Sequence, residues 1–175
     1  GAAPAKSVFT IHNIAYQGNF PRDTLDQLGL PAHSFAIDGV EYHGQISFLK
    51  TGLQYADAIT TVSPTYAREI QGEELGFGFA GLLRQRAAVL AGVLNGIDTA
   101  QWNPATDVHL AQRYDSGSLE GKAANKAALQ RRLKLPVTAD IPLLGVVSRL
   151  SHQKGLDLLL AIAREVLGEN VLAVT

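Results

Sequence analysis

The chain has 175 residues, 46% of them hydrophobic and 18% charged, with a formal net charge of −1. That is enough apolar material for a packed core, and there is no basic field to attract nucleic acid or an anionic membrane. The absence of cysteine removes disulfides, thiolate metal sites and cysteine nucleophiles, and it fits a cytoplasmic protein.

In chain order, Ser7-Val8-Phe9-Thr10-Ile11 is a short β-branched and aromatic run that predicts a buried strand, with His12-Asn13 directly after it. Gly1 to Lys6 lacks the charged start and apolar centre of a signal peptide. Residues 17–43 carry Gly18, Pro21, Gly29, Pro31 and Gly39, and are expected to form a long loop with little regular structure. The spacing of Ile46, Leu49, Leu53 and Ala56 predicts a helix over 45–56. A strand is expected at Ala58 to Val62, then a helix starting at Ser63-Pro64, with the serine as cap and proline in the first turn. Gly76-Phe77-Gly78-Phe79 reads as a flexible loop or loop–helix junction. Val89 to Leu94 is the next strand, interrupted by Gly92.

Apolar periodicity weakens over 97–117. Ser118 is expected to cap a helix running through Leu133, with Glu120 in its first turn and Leu135-Pro136 ending it. A new unit follows: a strand at Pro142–Val147, a helix at Gly155–Leu167 and a strand at Asn170–Thr175. The rhythm of strand and helix implies parallel βαβ units and an α/β fold. The expected division is 1–96 as the later part of one Rossmann-like domain, 97–140 as a linker and connecting helix, and 141–175 as the start of a second. The missing initial methionine and a last strand that stops in mid-flow suggest a piece of a longer protein. The longest apolar run, Leu158 to Ala163, is far shorter than the ~20 residues that span a membrane.

Ligands of open α/β sheets bind beyond the carboxyl ends of the strands. That rule picks out His12-Asn13, Ser63, Asn95-Gly96 and Ser148-Arg149-Leu150. Arg149 leaves a strand end and Lys154 precedes a helix N-terminus, where an anion is favoured. The pair reads either as a diphosphate clamp or as ordinary surface cations on a solvated loop. A histidine at a strand end is most often hydrogen-bonded structure, and Asn-Gly most often a turn. The remaining histidines, His33, His43, His109 and His152, lack ligand-like spacing, so no metal site is expected.

Taken together, His12-Asn13-Ile14-Ala15-Tyr16-Gln17-Gly18, Gly44-Gln45-Ile46-Ser47-Phe48-Leu49-Lys50, Tyr55-Ala56-Asp57, Thr61 to Ile70 and Val93 to Asp98 closely resemble bacterial glycogen synthases and plant starch synthases of the ADP-glucose type. Ser148-Arg149-Leu150 with Gln153-Lys154-Gly155-Leu156-Asp157 completes the resemblance, which runs in order over nearly the whole chain. It implies two Rossmann-like domains in the GT-B arrangement. It also implies transfer of glucose from ADP-glucose to the non-reducing end of an α-1,4-glucan with retention, without a cofactor. On this resemblance Arg149 and Lys154 match the diphosphate-binding pair and His12 the histidine near the transferred sugar. Asn95 matches an asparagine in the donor cleft, and Asn13 and Ser148 flank these as substrate-binding residues. The family's Lys-Thr-Gly-Gly loop and its glutamate-bearing segment have no counterpart in the sequence, so the chain alone is expected not to synthesise glucan. A related transferase using UDP-glucose is the runner-up, against which Tyr16-Gln17-Gly18 argues. A non-catalytic module is the third reading.

Overall fold

A computed structural model describes residues 5–167 and 171–174. Strand β1, Val8–Ile11, forms where the β-branched run predicts one. Its burial alternates, however. Phe9 and Ile11 face the core, whereas Val8 and Thr10 are exposed. The expectation of a fully buried strand is therefore corrected to a half-buried one, because within the described residues only one face of this sheet is packed on.

The segment 17–43 differs most from its expectation. It contains β2 (Asn19–Phe20), the single-turn helix α1 (Thr24–Gln27), a 3₁₀ turn at Ala32–Ser34 and β3 (Glu41–Tyr42). With β4 (Gln45–Ser47) the strands make a small antiparallel sheet in the order β2-β4-β3. Leu25, Val40 and Ile46 bury themselves against Phe35 as a second small core. Its apolar residues are too widely spaced for any local periodicity, so glycine and proline dominate the sequence signal.

Gln45–Ser47 is thus strand, and the helix expected over 45–56 begins later, as α2 (Phe48–Tyr55). Ser47 stops it short by acting as N-cap, its hydroxyl accepting from the Lys50 N–H at 3.2 Å. At the other end, Arg86 donates to the carbonyls of Gln54 and Ala56, placing a cation on the helix C-terminus. Gly52 sits over the Phe9 ring so closely that a Cβ there would lie 2.4 Å from ring carbons.

Strand β5 (Ala58–Thr61) and helix α3 (Pro64–Glu69) follow as expected, with Ser63 Oγ accepting from the Tyr66 N–H at 2.9 Å. Gly76 to Phe79 is a junction into α4 (Ala80–Gln85), and Phe79 is core rather than flexible loop. Strand β6 (Leu90–Gly92) completes a parallel sheet in the order β1-β5-β6. The glycine within this strand has a physical reason. A Cβ on Gly92 would come within 2.3 Å of the Ser63–Pro64 backbone, so only glycine lets α3 start against the strand. Ile11, Ile14, Leu53, Ile59, Ile70 and Leu83 form the main core of this first unit, Gly1–Gly96.

The second unit is Ile97–Thr175. Its first 20 or so residues are turns held by Asp98, Asn103, Asp107 and Asp115, each accepting from nearby backbone N–H groups. Helix α5 is Gly121–Arg132. Ser118 does not cap it, which corrects the expectation. Its hydroxyl meets Glu120 Oε2 while its backbone closes a turn on Asp115, and Glu120 becomes an N-cap that makes no side-chain cap bond. The helix ends before Pro136 in a Schellman motif. Lys134 takes φ +57, its N–H bonds to Arg131 O, and the Leu135 N–H bonds to Gln130 O. Strand β7 (Leu143–Val146), helix α6 (Leu156–Leu167) and strand β8 (Val171–Val174) form one parallel βαβ unit. Of the strand expected at Asn170–Thr175, Asn170 and Thr175 lie outside the described residues, as do Gly1 to Pro4 of the N-terminal reading.

Candidate functional site

The parallel register Ile11↔Thr61↔Gly92 aligns the carboxyl ends of β1, β5 and β6. Thr61 ties them together, its hydroxyl donating to Ile11 O at 2.8 Å and its carbonyl accepting from the Val93 N–H at 2.8 Å. Three of the sequence-selected places, His12-Asn13, Ser63 and Asn95-Gly96, therefore leave one edge of one sheet. Ser63 is spent on capping α3 and is structural. Asn95 is exposed beyond the strand end.

His12 is exposed and lines an open pocket of about 300 Å³ with Asn13, Tyr16, Gln17, Phe48 and residues of β1. The turn behind it is tightly bonded. Asn13 Oδ1 accepts from the Ala15 N–H at 3.0 Å, and Asn13 O accepts from the Tyr16 N–H. The Ile14 N–H donates to Tyr66 Oη at 3.1 Å. Farther on, Gln17 O accepts from Ser47 Oγ and the Leu49 N–H, and Gly18 O from the Phe48 N–H. The free N–H groups of the α2 N-terminus are thereby spent on holding this loop. Gln17 Nε2 donates to Phe77 O at 2.8 Å. Tyr16, Phe20 and Phe48 expose aromatic surface beside the pocket, the two phenylalanine rings 4.8 Å apart.

In the second unit, Ser148, Arg149 and Lys154 gather beyond the carboxyl end of β7. Ser148 Oγ donates to Arg149 O at 3.0 Å, and Arg149 O also accepts from the Ser151 N–H. Lys154 ends a 3₁₀ turn, His152–Lys154, and Gly155 at φ +66 redirects the chain into α6. Arg149 and Lys154 are both exposed, and among the described residues neither makes an ion pair. Two exposed cations precede a 12-residue helix whose first turn also carries Asp157, and their position before a helix N-terminus suits an anion. Among the described residues no group of three or more His, Asp or Glu side chains is placed to hold a metal ion, and no helix is long and apolar enough to cross a membrane.

Sequence reasoning did not single out Phe48 as a pocket residue or Tyr66 as a partner of the loop. Phe48 enters because β4 and α2 meet at Ser47. Tyr66 enters from 52 residues away, across the sheet edge. Only the helix start at Ser63-Pro64, which fixes where Tyr66 emerges, carried a local signal for it.

Comparison with known proteins agrees along the chain. The family described as starch synthase catalytic domain matches residues 2–85. A glycogen synthase from Dechloromonas aromatica is 62% identical over 91% of this chain and 33% of its own length. Glycogen synthase 2 from Bradyrhizobium diazoefficiens is 58% identical over 94% of the chain and 34% of its own length. Among solved structures, the catalytic domain of starch synthase IV from Arabidopsis thaliana, bound to ADP and acarbose, superposes with a TM-score of 0.88 at 33% identity. That match covers 97% of this chain and 36% of the other. The chain thus spans about a third of the length of the curated relatives it matches.

Proposed function

This chain belongs to the glycogen and starch synthase family, with the α/β architecture of the GT-B class, and from that premise we propose that it forms part of a retaining glucosyltransferase. The reaction is transfer of glucose from ADP-glucose to the non-reducing end of an α-1,4-glucan. A cytoplasmic location goes with this reading. The observation that carries it is the TM-score of 0.88 to a starch synthase domain whose structure holds ADP and acarbose. The exposed Arg149 and Lys154 beside α6 support it.

In this reading 1–96 contributes the later part of the first Rossmann-like domain, 97–140 the connection and 141–175 the start of the second. Arg149 and Lys154 bind the donor diphosphate and offset the charge that develops on departing ADP. Ser148 and Asn95 contact the donor. His12, with Asn13, lies beside the transferred sugar. Retention argues against a single base-activated displacement, which would invert the centre. His12 therefore orients the sugar and hydrogen-bonds it in the transition state.

The test is to graft the chain in place of the matching segment of a full-length relative and measure ADP release from ADP-glucose and glycogen. A charge-assisted hydrogen bond is worth about 1.5–3 kcal/mol. Arg149→Ala and Lys154→Ala should each lower kcat/KM by about tenfold to a hundredfold. His12→Ala should lower kcat while leaving ADP affinity nearly intact. A folded graft without activity, or both cation variants keeping parental kinetics, overturns the reading.

A further inference from the structure

We propose that Tyr66 is a positioning residue for the His12–Asn13 turn, acting through the buried N–H of Ile14; the inference rests on the glucosyl-transfer reading for its consequence, not for its geometry. The turn is bonded to itself at Ala15 and Tyr16 through Asn13. Its far end is anchored to α2 through Gln17 and Gly18. The Ile14 N–H ties the turn to α3, and its acceptor is Tyr66 Oη at 3.1 Å. Ile14 itself is fully buried, so its N–H relies on this acceptor in the folded chain.

Tyr66 is well placed for this task. Its own N–H is held by the Ser63 cap, Pro64 presets the first turn of α3, and its ring packs on the main core. The phenol is thereby fixed before it meets the loop. Removing only the hydroxyl leaves a buried donor unpaired, and the chain between His12 and Ala15 relieves this by shifting toward water. A catalytic group displaced by even an ångström loses much of the advantage of orientation.

Tyr66→Phe in the 175-residue chain tests the tie by amide exchange and by the imidazole signals of His12 in NMR spectra. Exchange at Ile14 should quicken at least tenfold and the His12 signals should shift, while core amides at Leu53 and Ile59 stay within twofold. Unchanged exchange at Ile14, or a rise shared by the core amides, overturns the inference. In the grafted full-length enzyme the same substitution should lower kcat about tenfold with KM for ADP-glucose within twofold. An unchanged kcat overturns the positioning role. If the unsubstituted graft itself is inactive, it is the glucosyl-transfer reading that fails, and the exchange experiment still decides the tie.

Discussion

The first unit buries nine hydrophobic residues in its main core, from Ile11 to Leu83. In the second unit the only buried residues among those described are Gly121 and Gln130. Both are α/β and both use parallel strands, so the difference does not lie in local propensity. A three-stranded sheet with α2, α3 and α4 against one face can enclose side chains. In the second unit's βαβ, Leu158, Leu160 and Ile162 of α6 are exposed. One of its buried residues is an amide: Gln130 of α5 is 1% exposed, donates to Thr138 O, and has a buried Oε1 with no partner among the described residues. Unmatched buried acceptors are costly. Among the described residues, hydrophobic burial is thus concentrated where α2, α3 and α4 meet the first sheet.

The comparison is broken most directly by matched leucine truncations. Leu53 is fully buried and Leu158 is 69% exposed. Leu53→Ala should cost about 2–5 kcal/mol, and Leu158→Ala should stay within about 0.5 kcal/mol, as read from urea unfolding of the chain. Equal costs would mean that α6 is covered in solution.

A second contrast concerns two lysines that staple backbone. Lys50 Nζ donates to the carbonyls of Ile37 and Glu41, and Lys126 Nζ to those of Ala139 and Ile141. Lys50 is buried, which pushes its pKa below the ordinary lysine value. Lys50→Met removes the donor from two part-buried carbonyl bonds and should cost about 1–3 kcal/mol. Lys126→Met, at a half-buried site, should cost visibly less in the same unfolding experiment.

The two serines at helix starts sharpen the picture further. Ser63→Ala should cost about 1 kcal/mol, the usual price of a lost N-cap. Ser118→Ala should be near neutral, because Ser118 caps nothing. Thermal melts of the two variants distinguish them, and an equal loss would restore Ser118 as a cap.

The smallest effect is a pH dependence confined to the first unit. Asp57 accepts from Lys6 Nζ at 2.8 Å and from the Ser7 N–H and hydroxyl, which hold its carboxyl down to about 2. A carboxylate with a depressed folded pKa adds stability that is complete above its ordinary value of about 4 and fades as pH falls through about 2. Asp57→Asn should flatten that part of the stability profile between pH about 4 and 2 and leave the plateau near neutrality slightly lowered. An unaltered profile would show the ion pair to be screened out by solvent.

By itself the sequence determined the α/β class, the strands around Phe9, Ile59 and Leu144, the helix start at Ser63-Pro64 and the ordered strings that carry the family. These signals are local, because alternation, capping chemistry and turn residues are written within a few positions of where they act. Only the tertiary structure decided that Val8 and Thr10 stay exposed, that 17–43 folds into a small antiparallel sheet, and that Gly92 is required by the backbone of Ser63-Pro64. The same holds for the pocket beside His12, where Phe48 and the Ile14–Tyr66 bond come from elements 30 to 52 residues away. Contacts between distant segments leave no period in either segment, since each is selected by shape and hydrogen-bond satisfaction in the assembled fold.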